Sequence, residues 1–580
     1  MRCVAVLSSV DARAEVEATG AAFVAGSGHW ALGVVHDERP WLSAGPYRYG
    51  RLTAVGEVSL FNRSTLIAGL PADVQAAAEH LSDGDVLLAV YATQGPAGIG
   101  MADGLFGLAI WDGTEVTLIR DPVGGRTLFY SRAAGCWAAA SSLHPLRRWP
   151  RLRPQLNLSA VQTFLTFAYL PGEETLLAGV YELLPGQYLR LSADGRRSSG
   201  FCWFPHEIPP DPACSAQDYA AELRRRLECS TAAMLPHNAP VGVLLSGGVD
   251  SSLVAALAAR LHHERPRSYS ISFGDHLPNE LAYSGLVASH CGTEHQVLRF
   301  DGAQVAAALP EAVARLDCPV GDPLTAPNLL LARAAAADGL RIILNGEGGD
   351  PCFGGPKNLP LLAYALQHNL ADPHELARTY LHSYRKCYAD LPRLFTPAAA
   401  AALADRPPLE RLVQPYLSTP QMQSYLNRLL LTNVRTKGAH HILTKVERLT
   451  AACGIEGRAP LFSRAIVDYS FAIPPEHKLH GTVEKWILKQ AVADLLPAQI
   501  IERPKSGMRV PVQYWLEGPL RDLAGDLLLG ERARRRGLFR PALIAEWMQG
   551  RGMIWQRQGI ALWILVTLEL WLRHFLDGDG

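Results

Sequence analysis

At 580 residues the chain exceeds what one hydrophobic core organises, so two or more domains are expected. Its 55 basic and 55 acidic residues balance, with a pI near 7.3, which excludes the electrostatic footprint of a chain that binds nucleic acid or an anionic membrane. The ten cysteines are scattered without a C-x-x-C pair, which argues against a zinc site or a disulfide framework and fits a reducing, cytoplasmic setting.

The first 205 residues are rich in short apolar runs broken by glycine, such as RLTAVGEVSLF, GLFGLAIWD, EVTLIRD and CWAAASS. Runs of that length with spaced turn residues predict antiparallel strands, with helices near 73–90 and 159–168. The proline-rich stretch FPHEIPPDPACS, residues 204–215, precedes a helical pattern and sets the expected boundary, with one domain over 1–205 and a second over 206–580. Beyond it, Ala/Leu/Arg helices alternate with the apolar strands VGVLL (241–245), RSYSISF (267–273) and RIILN (341–345). That alternation predicts a parallel α/β sheet followed by a mostly helical C-terminal half. The N-terminus carries no charged-then-apolar signal pattern. The late run GIALWILVTLELWL (559–572) is too short to span a bilayer and carries Glu569, so a buried helix and no membrane span are expected.

Three stretches carry chemistry. SGGVDSS, Ser246 to Ser252, lies between a strand and the helix LVAALAARL. Its glycines permit a tight turn, and successive N–H groups at a helix start make an anion site that favours phosphate. Asp250 adds a carboxylate of the kind Mg²⁺ uses beside phosphate oxygens. Neither a Walker loop nor a G-x-G-x-x-G fingerprint occurs. LNGEGGDPCFGG (344–355) sets Glu347 and Asp350 on a glycine-rich turn. Alone these are two solvated acids; beside the first loop, Asp350 completes a metal pair and Glu347 becomes a base for an attacking amine. In IERPKSGMRVP (501–511), Lys505 sits on a loop as a candidate to neutralise charge developing on phosphate or on an oxyanion.

In this order the three stretches resemble the asparagine synthetase superfamily, whose synthetase domain carries an S-G-G-x-D-S loop, a G-E-G-x-D turn and a late R-x-K loop. KVERLTAACGIEGRAPLFSRAIVDYSFAIP (445–474) resembles the family's helix leading to E-x-R-x-P. TLLAGVYELLPGQYL (175–189) resembles its domain-junction strand pair, and ADGLFGLAIWD with LIRDPVGGRTLFY resembles the core of its glutaminase fold. The resemblance implies an α+β Ntn-type αββα sandwich followed by an α/β ATP-pyrophosphatase domain, like the adenine nucleotide alpha hydrolases. It implies a carboxylate attacking the α-phosphate of ATP, pyrophosphate leaving, and an amine capturing the acyl-adenylate. On this basis ATP lies against Leu244, Ser246, Gly247, Gly248, Asp250, Ser251, Ser272 and Gly346. Asp250 and Asp350 hold Mg²⁺, Glu347 is the base and Lys505 stabilises charge.

Glutamine-dependent members of that family use a cysteine as the mature first residue. Here Arg2 is expected to block routine methionine removal, so Cys3 stays inside an ordinary peptide. PYRYGRLTAVGEVSLFNR lacks the family's arginine loop, and Val55-Gly56-Glu57 replaces its N-G-E. The glutaminase domain therefore reads as degenerate, and the amine as coming from elsewhere, including the substrate itself. β-Lactam synthetases carry tyrosine at the position matching Glu347, whereas GEGGDPCFGGPKN resembles the lasso peptide cyclases. That resemblance implies a core peptide as substrate, and a leader protease and a leader-binding protein as partners. Lys357 and Asn358 are either peptide contacts or surface turn residues. Two other readings stay open: an asparagine synthetase using ammonia, and a non-catalytic scaffold that binds ATP or a peptide. Intact Asp250, Glu347, Asp350 and Lys505 argue against the scaffold.

Overall fold

The computed structural model describes the chain apart from residues 1, 8–10, 36–38, 275, 276, 278, 385, 506, 507, 509, 551–554, 579 and 580. It forms two compact units, Met1–Leu156 with Gly172–Pro205 and Ser463–Ala465, and Asn157–Pro171 with His206–Phe462 and Ile466–Gly580.

In the first unit two six-stranded sheets lie face to face. One runs Val180–Glu182, Phe129–Ala133, Cys136–Ala140, Arg2–Leu7, Trp30–Val35, Ala22–Ser27 in spatial order. The other runs Arg197–Phe201, Gln187–Ser192, Glu115–Arg120, Gly104–Trp111, Leu52–Leu60, Tyr47–Tyr49. Cys3, Ala5, Leu7, Leu32 and Val34 from the first sheet meet Val55, Ala109, Val116, Leu118 and Leu189 from the second, an apolar seam that removes both inner faces from water. The helices Ala12–Ala18 and Asp83–Ile99 pack on strands of the first and second sheet respectively, giving the expected αββα sandwich. The single helix expected near 73–90 is instead broken into Ala72–Ala76, a 3₁₀ turn at Ala78–His80 and Asp83–Ile99. Ser82 and Asp85 form a capping box that starts a new helix, and this outweighs the apolar periodicity running across it.

The second unit is built on five parallel strands in the order Glu294–Arg299, Arg267–Ser272, Val241–Leu244, Ile342–Leu344, Glu456–Arg458. The chain starts at the central strand, winds outward one way through Glu294–Arg299, and then resumes on the other side at Ile342–Leu344. The switch point therefore falls between Val241–Leu244 and Ile342–Leu344, where open α/β sheets bind ligands. A helical stretch from Tyr425 to Ala451 passes through a π-helical segment, Val434–Leu443, before the last strand.

The C-terminal helix is longer than expected. Trp555–Trp571 continues as a π-helical turn, Leu572–Asp577, whose charges are held by Arg573 on Asp526 and Glu569 and by Arg536 on Asp577. By length and composition alone the longer helix Gln558–Asp577 could cross a membrane, but 72% of its most apolar 18-residue window is buried inside the protein, as expected of a buried helix. Trp563, Ile564, Leu565 and Val566 are fully buried, and the Trp571 indole N–H donates to the Asp317 carbonyl.

Candidate active site

The two loops leaving the strands at the switch point face each other. In the first, the Ser246 N–H donates to Ser251 Oγ at 3.1 Å, and the two hydroxyls lie 3.0 Å apart. The helix Val249–Leu261 starts at once behind them, with Gly248 as its N-cap, so its unpaired N–H groups point into the crevice. Gly247 has φ 79°, and a Cβ there would lie 2.6 Å from the Ser284 N, so the loop needs glycine at this position.

The second loop packs on the first without room for side chains. A Cβ at Gly346 would stand 2.4 Å from the Ser251 N, and one at Gly349 would stand 2.3 Å from Asp250 Oδ1. Gly349→Ala must therefore push the Asp250 carboxylate aside. Pyrophosphate release from ATP is expected to fall about 10²-fold, by misplacement of one charged group, while thermal unfolding monitored by circular dichroism stays near that of the parent.

Asp250 and Asp350 converge on one cation, Lys485, whose Nζ lies 2.5 Å from Asp250 Oδ2 and also contacts Asp350 Oδ1. Lys505 Nζ stands 3.9 Å from each carboxylate. Burial alone would raise the Asp350 carboxyl; Lys485, with Lys505 behind it, overrides burial and holds it well below the usual carboxylate range. Burial opposes the charge on Lys485 too, and the two aspartates reverse this and raise it.

Among the described residues no group of three or more His, Cys, Asp or Glu side chains could hold a metal alone. The aspartate pair nevertheless fits Mg²⁺: Asp250 Oδ1 is buried without a hydrogen-bond partner, and magnesium commonly takes one or two carboxylates and completes its shell with phosphate oxygens and water.

Glu347 behaves differently from its neighbours. Burial raises its carboxyl above the usual range, and the charges of Lys445, Lys437 and Lys505 only partly offset this. Its side chain makes no hydrogen bond among the described residues, which leaves it free to accept a proton. Lys445 donates to Asp322 Oδ2 at 2.5 Å, and His441 Nε2 lies 3.3 Å from the same oxygen. Burial keeps that imidazole neutral, with its pKa pushed down to about 4 despite Asp322.

These groups line one cleft of about 300 Å³, a size suited to a small ligand. Leu244, Ser246, Gly248, Asp250, Ser251, Gly346, Glu347, Asp350 and Lys505 are all on its wall. Gly247 and Ser272 are not. Gly247 faces Tyr283 and Ser284, and its carbonyl accepts from Arg503, which also pairs with Glu280. Ser272 is buried at its strand end, and its hydroxyl accepts from the Gly274 N–H. A second, smaller cavity of about 110 Å³ shares Asp350, Pro351 and Lys437 with the first. Lys357 and Asn358 lie on its wall: Lys357 Nζ is 4.6 Å from the Tyr384 ring centroid, and Asn358 Oδ1 accepts from the Gly355 N–H, as a turn residue does.

Sequence reasoning missed Lys437, His441, Lys445 and Asp322, all on the cleft wall, and Lys485 beneath it. A signal for the first three was present, because RTKGAHHILTK places Lys437, His441 and Lys445 four residues apart on one helical face. Lys485 had none. It is embedded in the apolar-flanked VEKWIL and reaches the aspartates from a left-handed backbone conformation, φ 55°, that periodicity does not foretell.

The fold and the cleft define a nucleotide-dependent synthetase joined to a glutaminase-like sandwich. A family model for asparagine synthase matches residues 222–573, and one for a glutamine amidotransferase domain matches residues 25–202. The chain is 27% identical over 528 residues to a putative glutamine-hydrolyzing asparagine synthetase of Mycobacterium bovis, covering 86% of this chain and 80% of that one. It is 24% identical to glutamine-hydrolyzing asparagine synthetase 1 of Bacillus subtilis, over 77% of this chain and 74% of that one. It is 23% identical to the amidase chyE of Penicillium rubens, over 79% and 77%. The chain belongs to the asparagine synthase family, ATP-dependent ligases that form amides.

Proposed function

We propose that the protein forms a macrolactam, joining an Asp or Glu side chain of a core peptide to the peptide's own N-terminal amine, with ATP cleaved to AMP and pyrophosphate. The observation that carries this reading is the state of Cys3. Its thiol is 2% exposed and burial pushes its pKa up to about 11, while its backbone nitrogen is a peptide N–H that donates to Ser141 Oγ at 3.0 Å. Such a cysteine has neither a thiolate nor a terminal amine with which to attack glutamine. Beside it the Glu57 carboxyl, which burial alone would raise, is held low by Arg39 at 2.5 Å and Arg126 at 3.7 Å. The amine is then brought by the substrate. Cys3→Ala is expected to leave the ATP-dependent activity unchanged, with glutamate release from glutamine at background in both proteins.

In this reading ATP lies with its phosphates on Ser246, Gly248 and Ser251, and Asp250 and Asp350 hold Mg²⁺, which when bound neutralises the phosphate charge and orients the α-phosphorus. Lys437 lines both cavities and has no ion-pair partner among the described residues, so it suits the incoming peptide carboxylate. A carboxylate oxygen attacks the α-phosphorus and pyrophosphate leaves. The N-terminal amine then attacks the acyl carbon, its proton passes to Glu347, and the bond to AMP breaks as the amide forms. Lys505 stabilises the charge that develops in both steps. The cavity beyond Asp350 and Lys437 supports an acyl donor that extends past its reacting carboxylate, and the retained Glu347 with GEGGDPCFGGPKN supports a peptide cyclase. A leader protease and a leader-binding protein belong to this reading as partners.

Two of the relatives are asparagine synthetases by name, which favours a second reading in which free aspartate becomes asparagine, with ammonia as the amine because Cys3 is buried and internal. Pyrophosphate release from Mg²⁺–ATP, measured with linear core peptides and with aspartate plus ammonia, separates the two. The cyclase reading expects turnover with a peptide and loss of one water from its mass. Turnover with aspartate alone overturns it.

A further inference from the structure

Lys485 touches the same two carboxylates, Asp250 and Asp350, whose donor set fits Mg²⁺. It is 1% exposed, and its backbone sits at φ 55°, ψ 35°, a conformation that a non-glycine residue keeps only where its surroundings dictate it. The ammonium is therefore placed there by the fold and is not a surface lysine that has drifted into contact. A second ammonium, Lys505, already stands 3.9 Å from both carboxylates. A divalent ion drawing on this pair would face two ammonium groups across two carboxylates, an excess of positive charge in an enclosed site. Even a metal that takes Asp250 Oδ1, the oxygen Lys485 leaves unpartnered, brings its double charge onto the carboxylate whose Oδ2 already holds the ammonium.

We propose that Lys485 is the internal counter-ion of the metal pair and competes with the divalent cation for Asp250 and Asp350. The protein alone then binds the metal weakly. Nucleotide phosphates tip the exchange, because they bring the negative charge that a displaced ammonium can face. Lys485 is in this sense a positioning residue: it keeps the two carboxylates together and makes metal entry depend on nucleotide. The inference rests on the assignment of the metal to these aspartates and is independent of the acyl substrate.

Mn²⁺ serves as the probe, with free metal read by electron paramagnetic resonance on the full chain, with and without a non-hydrolysable ATP analogue. Lys485→Met is expected to bind Mn²⁺ about tenfold or more tightly than the parent in the absence of nucleotide, the scale on which neighbouring groups tune metal affinity. Lys485→Arg, which keeps the charge, is expected to stay as weak as the parent. Equal or weaker binding by Lys485→Met overturns the proposal. Absence of Mn²⁺ binding by the parent even with the nucleotide analogue overturns it together with the metal assignment. Should Lys485→Met not fold, the parent protein gives a second reading. Acetylation of Lys485 by succinimidyl acetate, followed by peptide mass spectrometry, is expected to be slow in the protein alone and several-fold faster at saturating Mn²⁺. A rate that Mn²⁺ binding leaves unchanged overturns the exchange.

Discussion

Glu347→Gln is expected to slow amide formation by about 10²–10⁴-fold, the span usually contributed by a positioned general base, while pyrophosphate release continues. The expectation follows from how differently the cleft treats its acids. Asp350 faces Lys485 directly and stays ionised, fit for binding cations. Glu347 has lysines around it but none in contact, and burial raises its carboxyl. A raised carboxyl is protonated at low pH and becomes a base as pH rises through its shifted pKa, so the parent rate should climb across that window and then level. Glutamine has no such proton to lose, and the variant should show a flat profile there. Single-turnover measurement of pyrophosphate and amide product separates the steps. Equal losses in both, or an unchanged pH profile, would remove Glu347 from the role of base.

Asp250→Asn should act on the other half of the reaction. Pyrophosphate release is expected to fall by about 10²–10³-fold, as when one charge-stabilising group is taken from an enclosed site, with weaker binding of Mg²⁺–ATP. The substitution keeps the shape of the side chain, so the close packing against Gly349 is preserved and the loss reports charge. It leaves Lys485 with Asp350 as a remaining partner, which protects the fold. Isothermal titration with Mg²⁺ and an ATP analogue checks the binding arm. A variant that binds Mg²⁺–ATP and releases pyrophosphate like the parent would move the metal away from this aspartate.

The two predictions touch residues that were legible in the chain before folding. VGVLL and RIILN read as strands because they are short runs of apolar β-formers, RSYSISF because apolar β-formers alternate with serine along it, and the glycine-rich stretches after the first and third read as loops because glycine permits a tight turn. The sandwich was legible as short alternating runs, although the capping box at Ser82 divided a helix that periodicity had joined. The C-terminal helix ran past its apolar stretch because Arg573 and Asp577 found ion-pair partners remote in sequence, Asp526 and Arg536.

What the sequence by itself determined was the family, a sandwich followed by an α/β domain, and the glycine-rich loops after the first and third strands, since each reads from residues close together in the chain. Tertiary structure alone decided that the two central strands stand side by side, so that Ser246 to Ser251 and Gly346 to Asp350 share a crevice. It decided that Ser272 lies off the cleft wall, and that Lys437 and His441 reach the wall from a π-helical segment and Lys445 from the α-helix that continues it. It also placed Lys485, 235 residues from Asp250, between the two aspartates. The physical reason is the same in each case. Burial and long-range charge act between groups that only the folded chain brings together, and neither leaves a period or a spacing in the sequence.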